Sequence, residues 1–250
     1  MPRIDTHTTK TINNMSSSYP LLPIASIATP FKQKFAIPRQ PGLANAQGII
    51  TFNEGFDDEN MLKGIEGYSH LWVLFIFHQN IDKGWKSTVK APRLGGNATM
   101  GVLATRSTHR PNGIGMSVVK NKGLKKHNGK TCLIVEGVDI VDGTPLVDIK
   151  PYIAYADSIS HATDKLNDYN PIPNREVVFH DTISVKVTNV EQDHPGFTAL
   201  VTHVLSQDPR PAYKQHLNDD IKTYKVSLYD VDVGFQVKSG NVVVTEINPL

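Results

Sequence analysis

The sequence predicts a mainly β protein: a β-barrel domain of short strands followed by a smaller α+β domain. Three observations carry this. Between residues 24 and 149 short apolar runs alternate with turns rich in glycine and proline, and almost nothing has helical spacing. Residues 157–174 then form a polar connection bearing asparagine and proline, the composition of a domain boundary. Beyond it one run has helical spacing and the chain closes on three β runs. The strand pattern favours a closed or partly closed barrel and by itself leaves a sandwich open.

Taken in order, residues 1–19 are rich in Thr, Ser and Asn and are expected to be a disordered extension. Met15, followed by three serines, reads as an alternative start, which makes residues 1–14 an upstream extension. The barrel domain is expected over residues 20–160 and the second domain over 175–250. Ile24–Thr29 is a short strand. Pro38-Arg39-Gln40-Pro41-Gly42 must be an irregular loop, because its prolines deny it both helix and ladder. Ala46–Phe52 is a second strand and Asp57–Leu62 a short helical turn. Ser69–Phe77 is apolar at both parities and is expected to be a central, buried strand with His70 and His78 at its ends. Met100–Ala104 and Gly115–Lys120 are strands flanking an arginine-rich loop. Thr131–Val141 is another, closed by an Asp142-Gly143 turn, and Leu146–Ile149 follows. In the second domain Phe197–Leu205 has helical spacing. Thr223–Tyr229, Gly234–Lys238 and Asn241–Ile247 form a meander whose last hairpin turns at Ser239-Gly240. Ile183–Val190 is ambiguous, since its β-branched residues suit a strand and its place before a helix suits a helix.

Composition narrows the function. The 250 residues are 39% hydrophobic, enough for a sizeable core. One cysteine, Cys132, excludes an intramolecular disulfide and a multi-cysteine zinc site, and fits the reducing cytoplasm. The longest apolar run, Leu71–Phe77, is far short of the roughly 20 residues of a membrane helix, so no membrane partner is expected. The first residues lack an apolar stretch of the secretory type. A net charge of +2 hides an asymmetry. From Lys83 to Val135 there are eleven Lys or Arg and no Asp or Glu, while the remainder carries a net −9. Such a block suits a polyanion-binding face; a solvated surface balanced by acidic neighbours is the plainer reading.

The densest chemistry lies in Ala91–Val118, which holds three arginines, five glycines, two asparagines and two prolines around one short apolar strand. Within it Arg106, Arg110, Asn112, Gly113 and Gly115 can present guanidinium forks and backbone amides to one charged ligand, or simply form a tight turn with surface arginines. Arg39 and Gln40 sit between two prolines, where a stiff loop loses little entropy on binding. His78-Gln79 follows the central strand; without cysteines or an H-E-x-x-H pattern, a hydrogen-bonded strand-end histidine is the simpler reading, and no metal is expected. Asp208-Pro209-Arg210-Pro211-Ala212-Tyr213-Lys214 puts an acid, bases and an aromatic on a proline-locked loop, suited to holding an extruded nucleobase or to stopping a helix. No G-x-S-x-G, Walker A or dinucleotide fingerprint is present.

Six ordered blocks carry a resemblance: A-I-P-R-Q-P-G-L (36–43), E-G-Y-S-H-L-W-V-L-F-I-F-H-Q (66–79), P-R-L-G-G-N (92–97), G-V-L-A-T-R-S-T-H-R-P-N (101–112), D-I-V-D-G-T-P-L-V-D-I-K-P-Y (139–152) and Q-D-P-R-P-A-Y (207–213). Over residues 24–250 the chain resembles the TsaA/TrmO family of tRNA (adenine-N6)-methyltransferases. It departs from the family at His109, where phenylalanine is common, and at Gly113, where proline is common. The resemblance implies a β-barrel S-adenosylmethionine-binding domain, a homodimer, and methyl transfer to N6 of threonylcarbamoyladenosine at position 37 in the anticodon loop of threonine tRNA. It implies a cofactor site lined by Arg39, Gln40, Pro41, His78, Gln79, Arg106, Met116, Gly137, Val138, Asp139 and Ile140. The Asp208–Lys214 loop would complete the active site, across the dimer.

Chemistry adds further expectations. A sulfonium methyl donor is already activated, so positioning supplies much of the catalysis. The urea-like acceptor nitrogen needs a base, for which Asp208 is the first candidate and His78 the second. Arg106 suits a carboxylate of cofactor or substrate. Arg110, Asn112, Arg210, Tyr213 and Lys214 are expected at the tRNA. Lys120, Lys122, Lys125 and Lys126 are phosphate contacts by charge alone. A non-catalytic RNA- or nucleotide-binding barrel is the alternative, needing the basic face but not the cofactor loops.

Overall fold

The computed structural model describes residues 19–90, 99–164 and 172–250. The expected disordered extension up to Ser18, the Met15 start and the 92–97 block lie outside these residues, as does 165–171 of the expected boundary.

Strands β1 (Ala25–Ala28), β2 (Gln47–Phe52) and β3 (His70–Ile76) begin the first unit. Among the described residues, β4 (Thr88–Lys90) and β5 (Thr99–Gly101) pair only with each other as a ribbon. β6 (Ile114–His127), β7 (Lys130–Glu136) and β8 (Thr144–Pro151) complete a closed six-stranded barrel in the order β1-β2-β7-β6-β3-β8, with β8 returning to β1. Closure gives every barrel strand two partners and leaves no open edge. The interior is filled by the inward parity of each strand, including Ile27, Ile50, Leu71, Val73, Leu133, Val135 and Leu146.

Several sequence expectations change here. β3 is central, paired to β6 and β8, but only Leu71, Val73 and Phe75 are buried; the opposite parity is half-covered. There Trp72 packs on Tyr152 and its indole N–H donates to Asp157 at 3.1 Å. His70 opens the strand as expected, but His78 lies beyond its end, in a 3-10 turn over His78–Lys83. Met100–Ala104 is not a barrel strand: it splits into β5 and a 3-10 turn at Val102–Ala104. β7 ends at Glu136 rather than Val141 because the next residues bond elsewhere. Gly137 O accepts from Gly42 N at 2.9 Å, and Gly137 N donates to Ala46 O at 2.8 Å. This diversion takes Val138 to Ile140 out of the ladder: Val138 N donates to Ala46 O at 3.3 Å, and Ile140 O accepts from the Thr29 hydroxyl at 2.9 Å.

After helix α1 (Ala154–Asp157), the second unit is a four-stranded sheet with two helices. The order is β10-β11-β12-β9, from β9 (Val177–Phe179), β10 (Asp220–Leu228), β11 (Val231–Lys238) and β12 (Asn241–Pro249). β9, only three residues long, gave no sequence signal; it is fixed by parallel pairing to β12. The ambiguous 183–190 stretch is helical, α2 (Ser184–Asp193). Near its end Glu191 accepts from the amides of Gly196 and Thr198 at 2.6 and 2.8 Å and so caps α3 (Phe197–Ser206). α3 buries Phe197, Leu200, Val201, Val204 and Leu205, one stripe at i, i+3, i+4, i+7 and i+8.

The two units share one continuous core. Phe31, 1% exposed, bridges to Leu228, and Tyr229 N donates to Pro30 O at 2.8 Å. The irregular segment after β1 is thereby clamped to the second sheet before it reaches the Arg39 loop.

Candidate functional site

A cavity of about 490 Å3 opens at one end of the barrel. Four segments line it: Pro38–Gln40, the end of β3 through Phe75 and Phe77, Thr105–Arg110, and Ile114–Ser117 at the start of β6, with Asp139 beside them.

The register of β3 against β6 sets its apolar wall. Phe75 stands opposite Gly115. A Cβ at Gly115 would fall 2.4 Å from Phe75 and 2.8 Å from Phe77, so only glycine leaves room for the edge-to-face pair of these rings, 5.3 Å apart. Two residues on, buried Ser117 donates its hydroxyl to Asp139 Oδ1 at 2.6 Å. Burial pushes the Asp139 carboxyl up to about 6, against the pull of the Ser117 hydroxyl, its own amide and the Arg106 charge.

The polar rim comes from the two loops. Arg106 Nη1 donates to Gln40 Oε1 at 2.5 Å, joining loops 66 residues apart. Arg110 Nη1 donates to the Thr105 carbonyl at 3.0 Å, closing its own loop. Asn112 at φ +65 and Gly113 at φ +59 turn this loop back into β6. Gly113 N donates to Arg110 O, and its φ is closed to proline, so the departure from the family at this position is built into the turn. His109, the other departure, sits half-buried beside Asn80, 3.4 Å from its amide.

Of the expected cofactor residues, the structure brings Arg39, Gln40, Arg106, Met116 and Asp139 to one cavity, joined by Arg110 from the expected tRNA set. Pro41, His78, Gln79, Gly137, Val138 and Ile140 do not line it; Val138 and Ile140 are core residues. His78 is half-buried with an unpartnered Nδ1, and the Gln79 carbonyl accepts from Lys34. Asn112 is exposed outside the lining. Phe75, Phe77, Ser117, Thr105 and Thr108 also line the cavity and are not among the residues the sequence singles out. Ser117 carried a signal, a polar residue at the inward parity of an apolar strand; the phenylalanines read as ordinary core.

The Asp208 loop is not the open, base-bearing loop that the sequence suggests. Asp208 is fully buried at φ +46, held by Arg210 through two bonds of 2.7 Å and by Arg175 at 2.8 Å. Both oxygens are occupied by guanidinium groups, so this carboxylate is not a free base. Arg210, 1% exposed, likewise presents nothing to RNA; it also reaches Asp220, and the Asp208 bonds hold its guanidinium above the ordinary range. Lys214 pairs with Asp220 at 3.2 Å, whereas Tyr213 is 72% exposed. The loop is a buried ion cluster that presents one aromatic.

Lys120 and Lys122 share Glu136 at 3.5 and 3.6 Å, and Lys126 pairs with Glu59 at 2.8 Å. No group of three or more metal-ligating side chains occurs among the described residues. No described helix is long and apolar enough to cross a membrane.

Residues 26–158 match the family model of the tRNA-methyltransferase O N-terminal domain, and residues 173–250 that of the TrmO C-terminal domain. The chain is 42% identical to the tRNA (adenine(37)-N6)-methyltransferase of Escherichia coli K12, covering 93% of this chain and 99% of that protein. It is 39% identical over 132 residues to a Pyrococcus abyssi protein named a probable S-adenosyl-L-methionine-binding protein, covering 52% of this chain and 66% of that one. The crystal structure of TrmO from Pseudomonas aeruginosa superposes with a TM-score of 0.76 at 36% identity, covering 94% of this chain and 98% of that one.

Proposed function

This chain belongs to the tRNA-methyltransferase O family, and from that premise we propose that it is an S-adenosylmethionine-dependent methyltransferase of N6 of adenine 37 in tRNA. The observation that carries the reading in this chain is the cavity itself. Its arginines, single described carboxylate and aromatic wall match the parts of the cofactor. Arg106, set by Gln40, and the neighbouring Arg39 and Arg110 suit a carboxylate. Asp139 suits a positive centre or a ribose hydroxyl. Phe75 and Phe77 suit a purine ring. The volume is that of a small-molecule site.

When bound, S-adenosylmethionine supplies a methyl group on a positively charged sulfur. The chain's residues hold that donor and exclude water. Gly115 keeps the aromatic wall in place, Ser117 holds Asp139, and the Gln40–Arg106 bond fixes the rim. Fixed charges and dipoles of this kind act without reorganising during transfer.

The finer reading is that the acceptor is threonylcarbamoyladenosine in the anticodon loop of threonine tRNA, in the cytoplasm, and that the enzyme works as a homodimer. Exposed Tyr213 of a second copy would then complete the site, with the Asp208–Arg210 cluster holding its loop. Lys120, Lys122 and Lys125 would meet tRNA phosphates. The non-catalytic binding barrel is not favoured, because it needs none of the cavity residues just described.

The test is incubation with labelled S-adenosylmethionine and tRNA from cells with and without the threonylcarbamoyl modification, followed by mass spectrometry of the labelled nucleoside. Label on N6 of threonylcarbamoyladenosine, absent from unmodified tRNA, is the expected result. No label, with cofactor and tRNA both bound, would return the protein to the binding-barrel reading.

A further inference from the structure

Trp85 lies in the sequence Lys83-Gly84-Trp85-Lys86, between β3 and β4, and is 54% exposed. A large apolar ring in water between two cations is not a core residue, and no described ring contact includes it. Its backbone is nevertheless pinned on both sides. Gly84 N donates to Ile81 O at 2.9 Å, and Lys86 N donates to His109 O at 3.1 Å. His109 stands between Thr108 and Arg110, both lining the cavity, so the indole is carried on a segment tied to the cavity's own loop.

The segment that carries the ring is basic. Asp82 precedes the segment, but from Lys83 to Val135 there is no further acid. Lys34, bonded to Asn80 and the Gln79 carbonyl, is near enough to Lys83 for their charges to repel: its ammonium pKa is lowered by burial and then by Lys83. Lysines flanking an exposed aromatic in the chain suit a polyanion that carries flat apolar rings. A single-stranded nucleic acid has that chemistry, with bases stacking on aromatic rings while phosphates meet lysines.

We propose that Trp85 is a stacking platform for an unpaired nucleobase of the anticodon loop, beside the nucleotide that enters the cavity, with Lys83 and Lys86 on the flanking phosphates. This rests on the tRNA reading above and names a contact for it. Trp85 acts on RNA binding and not on the cofactor.

The full chain and its Trp85→Ala and Trp85→Phe variants are compared for affinity to a synthetic threonine-tRNA anticodon stem-loop carrying threonylcarbamoyladenosine at position 37 at fixed salt, for S-adenosylmethionine affinity by calorimetry, and for sedimentation. Loss of one base stack should weaken RNA binding about five- to hundredfold in Trp85→Ala. Trp85→Phe should stay within about threefold of wild type, with cofactor affinity and sedimentation unchanged in both. Unaltered RNA affinity in Trp85→Ala, or an equal loss in both variants, overturns the proposal. A changed sedimentation coefficient also overturns it and assigns the ring to a contact between copies. A Trp72→Phe background, which leaves Trp85 as the sole tryptophan, gives a check that needs no change at Trp85: the stem-loop should quench its emission, and constant emission on saturation overturns the proposal. Wild-type protein that binds the stem-loop without methylating tRNA sinks the methyltransferase reading alone; wild-type protein that fails to bind it sinks both.

Discussion

Ser117 Oγ lies 2.6 Å from Asp139 Oδ1, tying the inward face of β6 to the segment that leaves the barrel after β7. The bond fixes the cavity's described carboxylate where burial makes its charge costly. Asp139 holds its proton up to about pH 6 in the folded protein, against an ordinary value of 3.8. The folded state therefore binds the extra proton between these values, and this residue's contribution to stability falls as pH rises from about 4 to about 6. Asp139→Asn keeps an acceptor for Ser117 and removes the ionisation. The variant should match wild type below pH 4 and exceed it above pH 6 by up to about 3 kcal/mol, read from denaturant midpoints. Cofactor affinity should fall in wild type as pH is lowered through 6 and be weak and nearly pH-independent in the variant.

Gly115→Ala should collapse the aromatic wall. Its Cβ would sit 2.4 Å from the outer edge of the Phe75 ring and 2.8 Å from Phe77, so the rings must swing out of their edge-to-face contact. A loss of about 1–3 kcal/mol is expected from overpacking. S-adenosylmethionine affinity should drop further than stability alone explains, as calorimetry below the melting transition would show.

Arg106→Lys should not restore what Arg106→Ala loses. The Gln40 bond uses one arm of a planar fork and leaves the other for a carboxylate; an ammonium cannot do both in that geometry. Both variants should raise the cofactor Kd at least about tenfold with little change in melting temperature, since surface charge substitutions are usually within about 0.5 kcal/mol. A Lys variant with wild-type affinity would remove the bidentate role.

Asp208→Asn should act on stability before it acts on chemistry. It leaves Arg175 and Arg210 facing each other without their shared carboxylate, in a cluster where Arg210 is 1% exposed. Breaking a buried pair of this kind costs about 3–5 kcal/mol. The melting temperature should fall well before cofactor affinity changes; a stable variant lacking turnover would restore Asp208 as a catalytic residue.

The affinity for tRNA should fall steeply with salt, as released counterions require. Replacing Lys125 should lower the slope by about one; Lys120 and Lys122, which share Glu136, should each contribute less.

Much of this was legible in the sequence, because it depends on local rules. Alternation and glycine–proline turns mark most barrel strands, and the periodic stripe of Phe197–Leu205 marks α3. The order of six motif blocks identifies the family, and the charge count exposes the basic segment that holds Trp85. What only the tertiary structure decided are matters of register and long-range pairing. That Gly115 faces Phe75 follows from which residues of β3 and β6 pair, and a slip of one residue would turn it away. That Asp208 is a buried anchor and not a base follows from Arg175, 33 residues earlier, arriving on the oxygen that Arg210 Nη2 also holds. An aspartate on a proline-bounded loop reads the same whether it faces solvent or two guanidinium groups. Its chemistry is set by neighbours that folding brings together and that adjacency in the chain does not reveal.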